Sequence, residues 1–358
     1  MKLNLKSALW LLAVAVTMIS TRNLSAQAVD ESTSAQSVVE PNQTYGTTAY
    51  KEAHDFSSDA ATEAFYVKPS VLEGKAAYAT GGVALRNRGS GNISISGLVG
   101  PPRVTFLYWA VITPGAAPAI VKSVQIQRLF PLPTSAVAVV NGFAVGGGSA
   151  PCWGPAGSLI TVYRAVVPPA IALGNGSYQV SLMPGAGGLV DGSDPWLGVP
   201  TLPLWEGASL VMIGNGVGTV SVFDIGLAGR TFAPNPNPFN YVLVLPIKPT
   251  GRRMIFDNIG ADGQHVLTQS RTDVTSMSDE TTTINGFPIA GPGSDYVDSD
   301  WNGSSGLPLP ELWDDTGHDI TNVTANSAAP PANLNISISS PLAPSDCLTP
   351  VANIVQEN

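Results

Sequence analysis

Short apolar runs that alternate with polar residues follow one another along most of the chain. Examples are "NISISGLV" at 92–99, "RVTFLYWAVI" at 103–112 and "SYQVSLM" at 177–183. Each run is about four to nine residues long and is bounded by Gly, Pro, Asn or Asp, which is the pattern of β-strands joined by turns. About fifteen strands are predicted in this way, and no stretch has the period of a long helix.

The turns between the predicted strands are too short for the crossover segments that a parallel sheet requires. We therefore predict an all-β protein whose antiparallel sheets pack face to face, a β-sandwich of jelly-roll type. The Pro-rich stretch "GSDPWLGVPTLPLWEG" at 192–207 is a candidate seam between two abutting sandwiches. A single domain over 65–358, with a long loop at that stretch, is the preferred arrangement.

Residues 1–28 have the features of an export signal peptide. Lys2 and Lys6 precede the apolar run "ALWLLAVAVTMI", and the small-residue stretch "AQA" at 26–28 follows it. The apolar run is shorter than the roughly 20 residues that a membrane-spanning helix needs, so we expect cleavage after residue 28 rather than a membrane anchor. Residues 29–64 are polar and rich in Ser and Thr, and are predicted to form a flexible arm.

Composition and charge exclude some classes of binding partner. Only 12% of the residues are charged, and the net charge of the whole chain is −9. Loss of the signal, which carries Lys2, Lys6 and Arg22, makes the chain more acidic still. Nucleic acid is not an expected partner of such a chain, and no second apolar segment is long enough to span a membrane. We predict a secreted protein located outside the cell or at the cell surface.

The two cysteines, Cys152 and Cys347, fit the same compartment. Exported proteins form disulfides because the compartments outside the cytoplasm are oxidising, so a disulfide between these two residues is predicted. In the loop-entropy model a crosslink that closes so long a loop stabilises the fold by more than about 4.7 kcal/mol. Two separate buried thiols are the alternative, and a metal site made of two cysteines without a nearby His is not expected.

A series of segments resembles a family of uncharacterised β-rich domains from bacterial secreted and cell-surface proteins. The segments occur in the order "VTFLYWAVI", "ITVYRAVVPPAIALGNGSYQVSLM", "GASLVMIGNGVGTVSVFDIG", "DNIGADGQ", "INGFPI", "LWDDTGHDIT" and "ISISSPLAPSDCLTPVANIV", and cover about residues 75–355. The chain departs from the family pattern at "YRAVVPP" and at "VMIGNG". The resemblance implies a β-rich extracellular domain and brings no known active site.

Signatures of common enzyme classes are absent from the sequence, including the GxSxG elbow, the HExxH helix and the GxxxxGK[ST] loop. The three histidines, His54, His265 and His318, are widely separated. A pair of acids is the remaining route to catalysis, because glycosidases use two carboxyl groups about 5 to 10 Å apart. Glu206 and Glu311 lie beside tryptophans, as in a sugar-binding cleft, but turn acids beside core aromatics are the simpler interpretation.

The preferred function is a non-enzymatic structural or adhesive module that binds carbohydrate or a surface protein. A secreted carbohydrate-active enzyme of glycoside hydrolase type is the alternative. Trp and Tyr side chains on loops supply flat apolar area for sugar rings or for a protein partner. The candidate binding residues are Trp205, Trp301 and Trp313, which lie in segments rich in Gly, Pro and Asp. The alternative for each of these residues is that its ring folds back and caps an edge of the sheet.

The segment "DSDWNGSSG" has the spacing of the first half of a calcium loop. Asp298, Asp300 and Asn302 fall at positions 1, 3 and 5, a glycine follows at position 6, and Asp295 is a further candidate ligand. Position 12 is Leu309 rather than Glu, which excludes an intact EF-hand. A calcium site of modest affinity is a hypothesis, and a surface turn whose Asp and Asn side chains bond to the local backbone is the alternative.

Overall fold

The structure, a computed structural model, describes the following residues: 65–131, 136–150, 155, 157–193, 201–226, 230–231, 239–246, 253–261, 280–291, 300–301, 313–325, 333–339 and 347–358. These residues form eighteen strands, one 3-10 helix and one short α-helix. The all-β prediction is therefore confirmed, and so is the prediction of antiparallel sheets.

The elements have the following bounds. The strands are β1 (Phe65–Val67), β2 (Val71–Ala84), β3 (Ser90–Ile95), β4 (Val104–Thr113), β5 (Ser123–Phe130), β6 (Ala138–Asn141), β7 (Phe143–Ser149), β8 (Leu159–Val166), β9 (Gly176–Leu182), β10 (Leu204–Asp224), β11 (Arg230–Thr231), β12 (Phe239–Val244), β13 (Met254–Ala261), β14 (Thr281–Ile284), β15 (Phe287–Ala290), β16 (Trp313–Asp319), β17 (Asn333–Ser339) and β18 (Cys347–Glu357). The 3-10 helix is Ala119–Lys122, and the α-helix, α1, is Thr321–Ala325.

The strands form three sheets. The largest has nine strands in the order β16-β13-β18-β10-β4-β8-β7, with β2 paired to β10 and β11 paired to β18. A four-stranded sheet has the order β3-β9-β5-β6, and a five-stranded sheet has the order β1-β12-β17-β14-β15. Within the described residues the pairings are antiparallel, except that β1 runs parallel to β12.

Strand β10 joins the two halves of the nine-stranded sheet. It pairs with β2 from Gly207 to Val222, with β4 through its first half and with β18 through its second half. The stretch "GNGVG" at 214–218 is typical of a turn in sequence, but here it lies inside β10 and forms an irregularity opposite β2 between Asn215 and Gly218. One continuous strand of 21 residues replaces the two shorter ones that the sequence pattern indicates.

The nine-stranded sheet is covered on both faces, which explains why β4 is buried along its whole length. On one face it packs against the four-stranded sheet, where Trp109 stacks with Tyr163 and Trp205 at ring-centroid distances of 5.5 and 6.5 Å. On the other face, alternate residues of β4 such as Phe106 and Tyr108 meet side chains of β8, β10, β13, β16 and β18. A third core lies between β13, β18 and the five-stranded sheet.

Two C-terminal elements differ from what the local pattern indicates. Strand β18 is an interior strand of the large sheet, between β10 and β13, although "TPVANIVQEN" has no strong alternation. The segment "HDITNVT" has a strand-like pattern, but α1 begins within it at Thr321. Its start is stabilised by Asp319, whose Oδ1 accepts a hydrogen bond of 3.1 Å from the Thr321 amide, as in an N-cap.

Several predictions fall outside the described residues. These are the signal peptide at 1–28, the arm at 29–64, residue Cys152 of the predicted disulfide, and residues 194–200 of the candidate seam. The disulfide with Cys347, which begins β18, therefore stays a prediction. Among the described residues, no helix is long and apolar enough to cross a membrane.

Candidate functional site

The three tryptophans predicted to bind a ligand lie in the interior. Trp205 and Trp313 are buried, and their indole Nε1 atoms donate to Ala186 O at 3.0 Å and to Ser209 Oγ at 2.9 Å. Trp301 is fully buried as well, in the third core. Buried rings offer no surface to a sugar or a protein, so these residues stabilise the core and do not form the exposed binding surface that the sequence predicted.

Glycines opposite the rings explain how bulky side chains from Gly- and Pro-rich segments come to be buried. A Cβ atom at Gly207 would lie 2.5 Å from the ring of Trp313, and one at Gly260 would lie 2.3 Å from the ring of Trp301. Each ring therefore packs directly against the backbone of a glycine, where a side chain would block it. The glycines that make room for Trp313 and Trp301 lie on β10 and β13, far along the chain from the two rings.

The predicted calcium ligands are only in part described. Asp295, Asp298 and Asn302 lie outside the described residues, whereas Asp300 is buried and its Oδ1 contacts Nε2 of His318. Burial alone would lower the pKa of His318, but the charge and hydrogen bond of Asp300 outweigh it and raise that pKa. No group of three or more His, Cys, Asp and Glu among the described residues is arranged to hold a metal ion. The calcium site stays a hypothesis.

The glutamates considered for a glycosidase cleft do not form one in the described structure. Glu206 is fully buried and pairs with Arg86, which is buried as well. Glu311 lies outside the described residues. Glu206, the acid beside Trp205, therefore neutralises the buried Arg86. This ion pair explains why Glu206 can lie in the core.

A different pair of acids meets where β13 and β16 pack against β2. Asp257 of β13 lies directly opposite Gly317 of β16, and Ile259 lies opposite Asp315. Residues two apart in a strand share a face, so Asp257 and Asp315 are diagonal neighbours on one face of the sheet. We refer to Asp257 and Asp315 as the carboxyl pair.

Hydroxyl groups of neighbouring strands surround the carboxyl pair. Thr80 of β2 donates through Oγ1 to Asp257 Oδ2 at 2.9 Å. Ser209 of β10 hydrogen-bonds to Asp315, and Tyr78 of β2 hydrogen-bonds to Asp257. Asp257 is only 5% exposed, and its Oδ1 and the Oδ2 of Asp315 are covered atoms without a hydrogen-bond donor from the protein.

The surroundings shift the pKa values of the pair upward. Burial raises the pKa of Asp315 to about 6, because the bonds from Ser209, Thr80 and Asp257 offset it only in part. Burial first, and the charge of Asp315 second, raise the pKa of Asp257 well above its ordinary range. Two carboxyl groups in contact cannot both ionise easily. The pair can therefore act as a proton donor and a proton acceptor at the same pH.

Access to the carboxyl pair is limited but not closed. Asp315, Thr80 and Tyr78 are partly exposed, and Gly317, which lies opposite Asp257, is exposed. Because Gly317 has no side chain, nothing from that position covers the Asp257 carboxyl. Sequence reasoning missed this pair, since the only signal was the acid-rich "WDDTGHD", and 58 positions separate Asp257 from Asp315 in the numbering.

A second feature is an exposed apolar surface on one end of the four-stranded sheet. It consists of Val99, Phe130 and Leu173, which are 72%, 64% and 44% exposed, and we call it the apolar end. Asn175 links the segments that carry these residues. Its Oδ1 accepts from Leu98 N at 2.9 Å, its Nδ2 donates to Leu98 O at 2.8 Å, and its backbone oxygen accepts from Arg128 at 2.9 Å.

Similarity to known proteins assigns no function to the carboxyl pair or to the apolar end. No protein-family model matches this chain, and no curated protein matches it either.

Proposed function

We propose that this protein is a secreted, non-enzymatic structural or adhesive module that works outside the cell or at its surface. In this proposal the apolar end binds the partner, which is a carbohydrate or a surface protein. The observation that carries the proposal is that three large apolar side chains are exposed at the same end of the four-stranded sheet, Phe130 at the end of β5 and the other two in segments that Asn175 joins. Large exposed apolar groups that lie near one another are candidates for an interaction site.

The apolar end is held in place before any partner binds. Phe130 lies opposite Ser177 in the β5–β9 pairing, and Asn175 fixes the loop that carries Leu173 to the segment before Val99. Because the backbone is already ordered, binding costs little conformational entropy. Full burial of one such side chain contributes about 1.5–3 kcal/mol, and this gain is set against the entropy lost on association.

Other features agree with this proposal. The N-terminal signal pattern and the acidic composition favour an extracellular protein. The resemblance to β-rich domains of cell-surface proteins favours the same assignment. Within the all-β architecture, a sandwich of jelly-roll type is our proposal for the finer arrangement of the sheets.

Binding should be measured on the secreted chain with the apolar end intact and altered. Fluorescently labelled protein would be applied to immobilised polysaccharides and to an envelope fraction of the producing cells. We expect the wild-type protein to bind at least one of these surfaces, and we expect a Val99→Ser/Phe130→Ser/Leu173→Ser variant to lose most of that binding because it lacks the apolar contact.

The matched control alters exposed apolar residues outside the apolar end. A Val217→Ser/Phe287→Ser variant removes side chains that are exposed in the same way, so its binding should equal that of the wild-type protein. Equal losses in the two variants would contradict a specific role of the apolar end. Release of soluble sugars from any polysaccharide in the panel would contradict the non-enzymatic assignment.

A further inference from the structure

Strands β2 and β16 meet through side chains rather than through a backbone ladder. In the described sheets β2 pairs only with β10, and β16 pairs only with β13. Where β2 approaches β16, a Cβ atom at Gly82 would lie 3.1 Å from the Cβ of Asp315, so the two strands are in tight contact. We call this contact the β2–β16 seam, and the carboxyl pair lies in it.

The groups of the described residues that face the carboxyl pair are neutral or acidic. From β2 they are the hydroxyls of Tyr78 and Thr80, and from β10 the hydroxyl of Ser209. Strand β18 contributes Gln356, whose Oε1 accepts from the Tyr78 amide at 3.2 Å. The charge of Asp300 also acts on Asp257.

Basic residues do not neutralise the pair in the described part of the chain. None of the ion pairs among these residues joins Asp257 or Asp315 to a Lys or an Arg. The neighbouring Arg253 is exposed and pairs with Asp319 instead. Two ionised carboxylates in this position would repel each other and would also lose hydration, which makes a doubly charged pair unfavourable.

We propose that a proton shared between Asp257 Oδ1 and Asp315 Oδ2 stabilises the packing of β13 and β16 against β2, so that the carboxyl pair is a proton-binding latch. The two oxygens are the covered atoms that have no other donor. With the proton present, one carboxyl donates to the other and the seam carries a single negative charge. When the proton leaves, the two carboxylates repel each other between β13 and β16, and the folded state loses this stabilisation.

The direction of the pH dependence follows from the raised pKa values. In the unfolded chain both groups ionise near pH 3.9, whereas the pKa of Asp315 in the folded protein is about 6 and that of Asp257 is higher still. The stabilisation is thus complete below about pH 4. It is lost as the pH rises through 6 and then through the pKa of Asp257. Each proton that only the folded state retains lowers the folding equilibrium constant about tenfold per pH unit.

The test is denaturant unfolding of the full chain between pH 5 and pH 9, comparing the wild-type protein with Asp315→Asn. The asparagine cannot ionise, and its amide can still donate to Asp257. We expect the ratio of the wild-type to the variant folding constant to fall by about tenfold over at least one pH unit in this range. An Asp319→Asn control alters an exposed acid on the same face of β16 and should keep the wild-type pH dependence.

A second measurement does not depend on how stable the variants are. Infrared spectra at pH 7 should show the carbonyl stretch of protonated carboxylic acids in the wild-type protein. This band should be weaker in Asp257→Asn/Asp315→Asn, in which Glu357, whose pKa burial raises to about 7, still contributes. If the double variant does not fold, the comparison uses Asp315→Asn, in which the band should weaken. Parallel pH profiles of the wild-type protein and Asp315→Asn, or an unchanged band, would overturn the latch.

Calcium distinguishes a proton from a metal ion at the pair. Calcium chloride added at pH 8 should change the unfolding midpoint of the wild-type protein by no more than it changes that of Asp315→Asn. A calcium-dependent rise that only the wild-type protein shows would mean that the pair binds a cation, and it would refute the shared proton.

Discussion

Replacing Asp224 by Asn should destabilise the protein by about 3–5 kcal/mol, because it would remove the carboxylate that pairs with a buried arginine. Asp224 lies at the end of β10 and pairs with Arg164 of β8 at 2.7 Å, and each side chain is only 8% exposed. The Tyr108 hydroxyl donates to Asp224 Oδ1 at 2.7 Å, and Arg164 also donates to Ser70 Oγ at 2.8 Å. These contacts join β4, β8 and β10 with the start of β2.

The magnitude follows from what remains after the substitution. Asparagine has nearly the volume of aspartate and leaves no cavity, so the change is mainly one of charge. At about 4 Å and an effective dielectric constant of about 20, the lost attraction is about 4 kcal/mol. Arg164 would stay buried, because its guanidinium carbon lies 5.1 and 4.8 Å from the ring centroids of Phe106 and Phe143.

The assay is urea unfolding at pH 7, followed by tryptophan fluorescence. An Arg253→Gln control disrupts a pair of similar length, 3.0 Å, whose side chains are 64% and 49% exposed, and should cost less than about 1 kcal/mol. The double variant Asp224→Asn/Arg164→Met removes both charges and should recover most of the loss. A cost below about 1 kcal/mol for Asp224→Asn, or a double variant less stable than the single one, would refute this reasoning.

Two further predictions concern packing and covalent structure. Gly207→Ala should destabilise the protein by about 1–3 kcal/mol because its Cβ would overlap the Trp313 ring, whereas Gly115→Ala, which meets no atom within 4 Å, should be close to neutral in the same urea assay. Non-reducing peptide mapping of the exported protein should recover a Cys152–Cys347 crosslink, and detection of two free thiols by mass would contradict the predicted disulfide.

The pattern of the sequence determined the class of the fold, because strand formation depends on local alternation. In β5, for example, Val124, Ile126 and Arg128 are buried and the residues between them are less so. Segments such as β4 and β8 were likewise evident from their apolar and β-branched residues. Glycine-rich stretches were less informative. The stretch "GNGVG" at 214–218 has the composition of a turn but lies inside β10.

The tertiary structure alone decided which residues meet. Trp301 and Trp313 appear exposed in sequence because their neighbours include Gly, Pro and Asp, and only the tertiary structure shows that both rings are buried against the backbone of distant glycines. The carboxyl pair depends on the register of β13 with β16 and on the approach of β2. Register and sheet packing are set by contacts between distant parts of the chain, so no local pattern in one chain could predict that Asp257 and Asp315 share one seam.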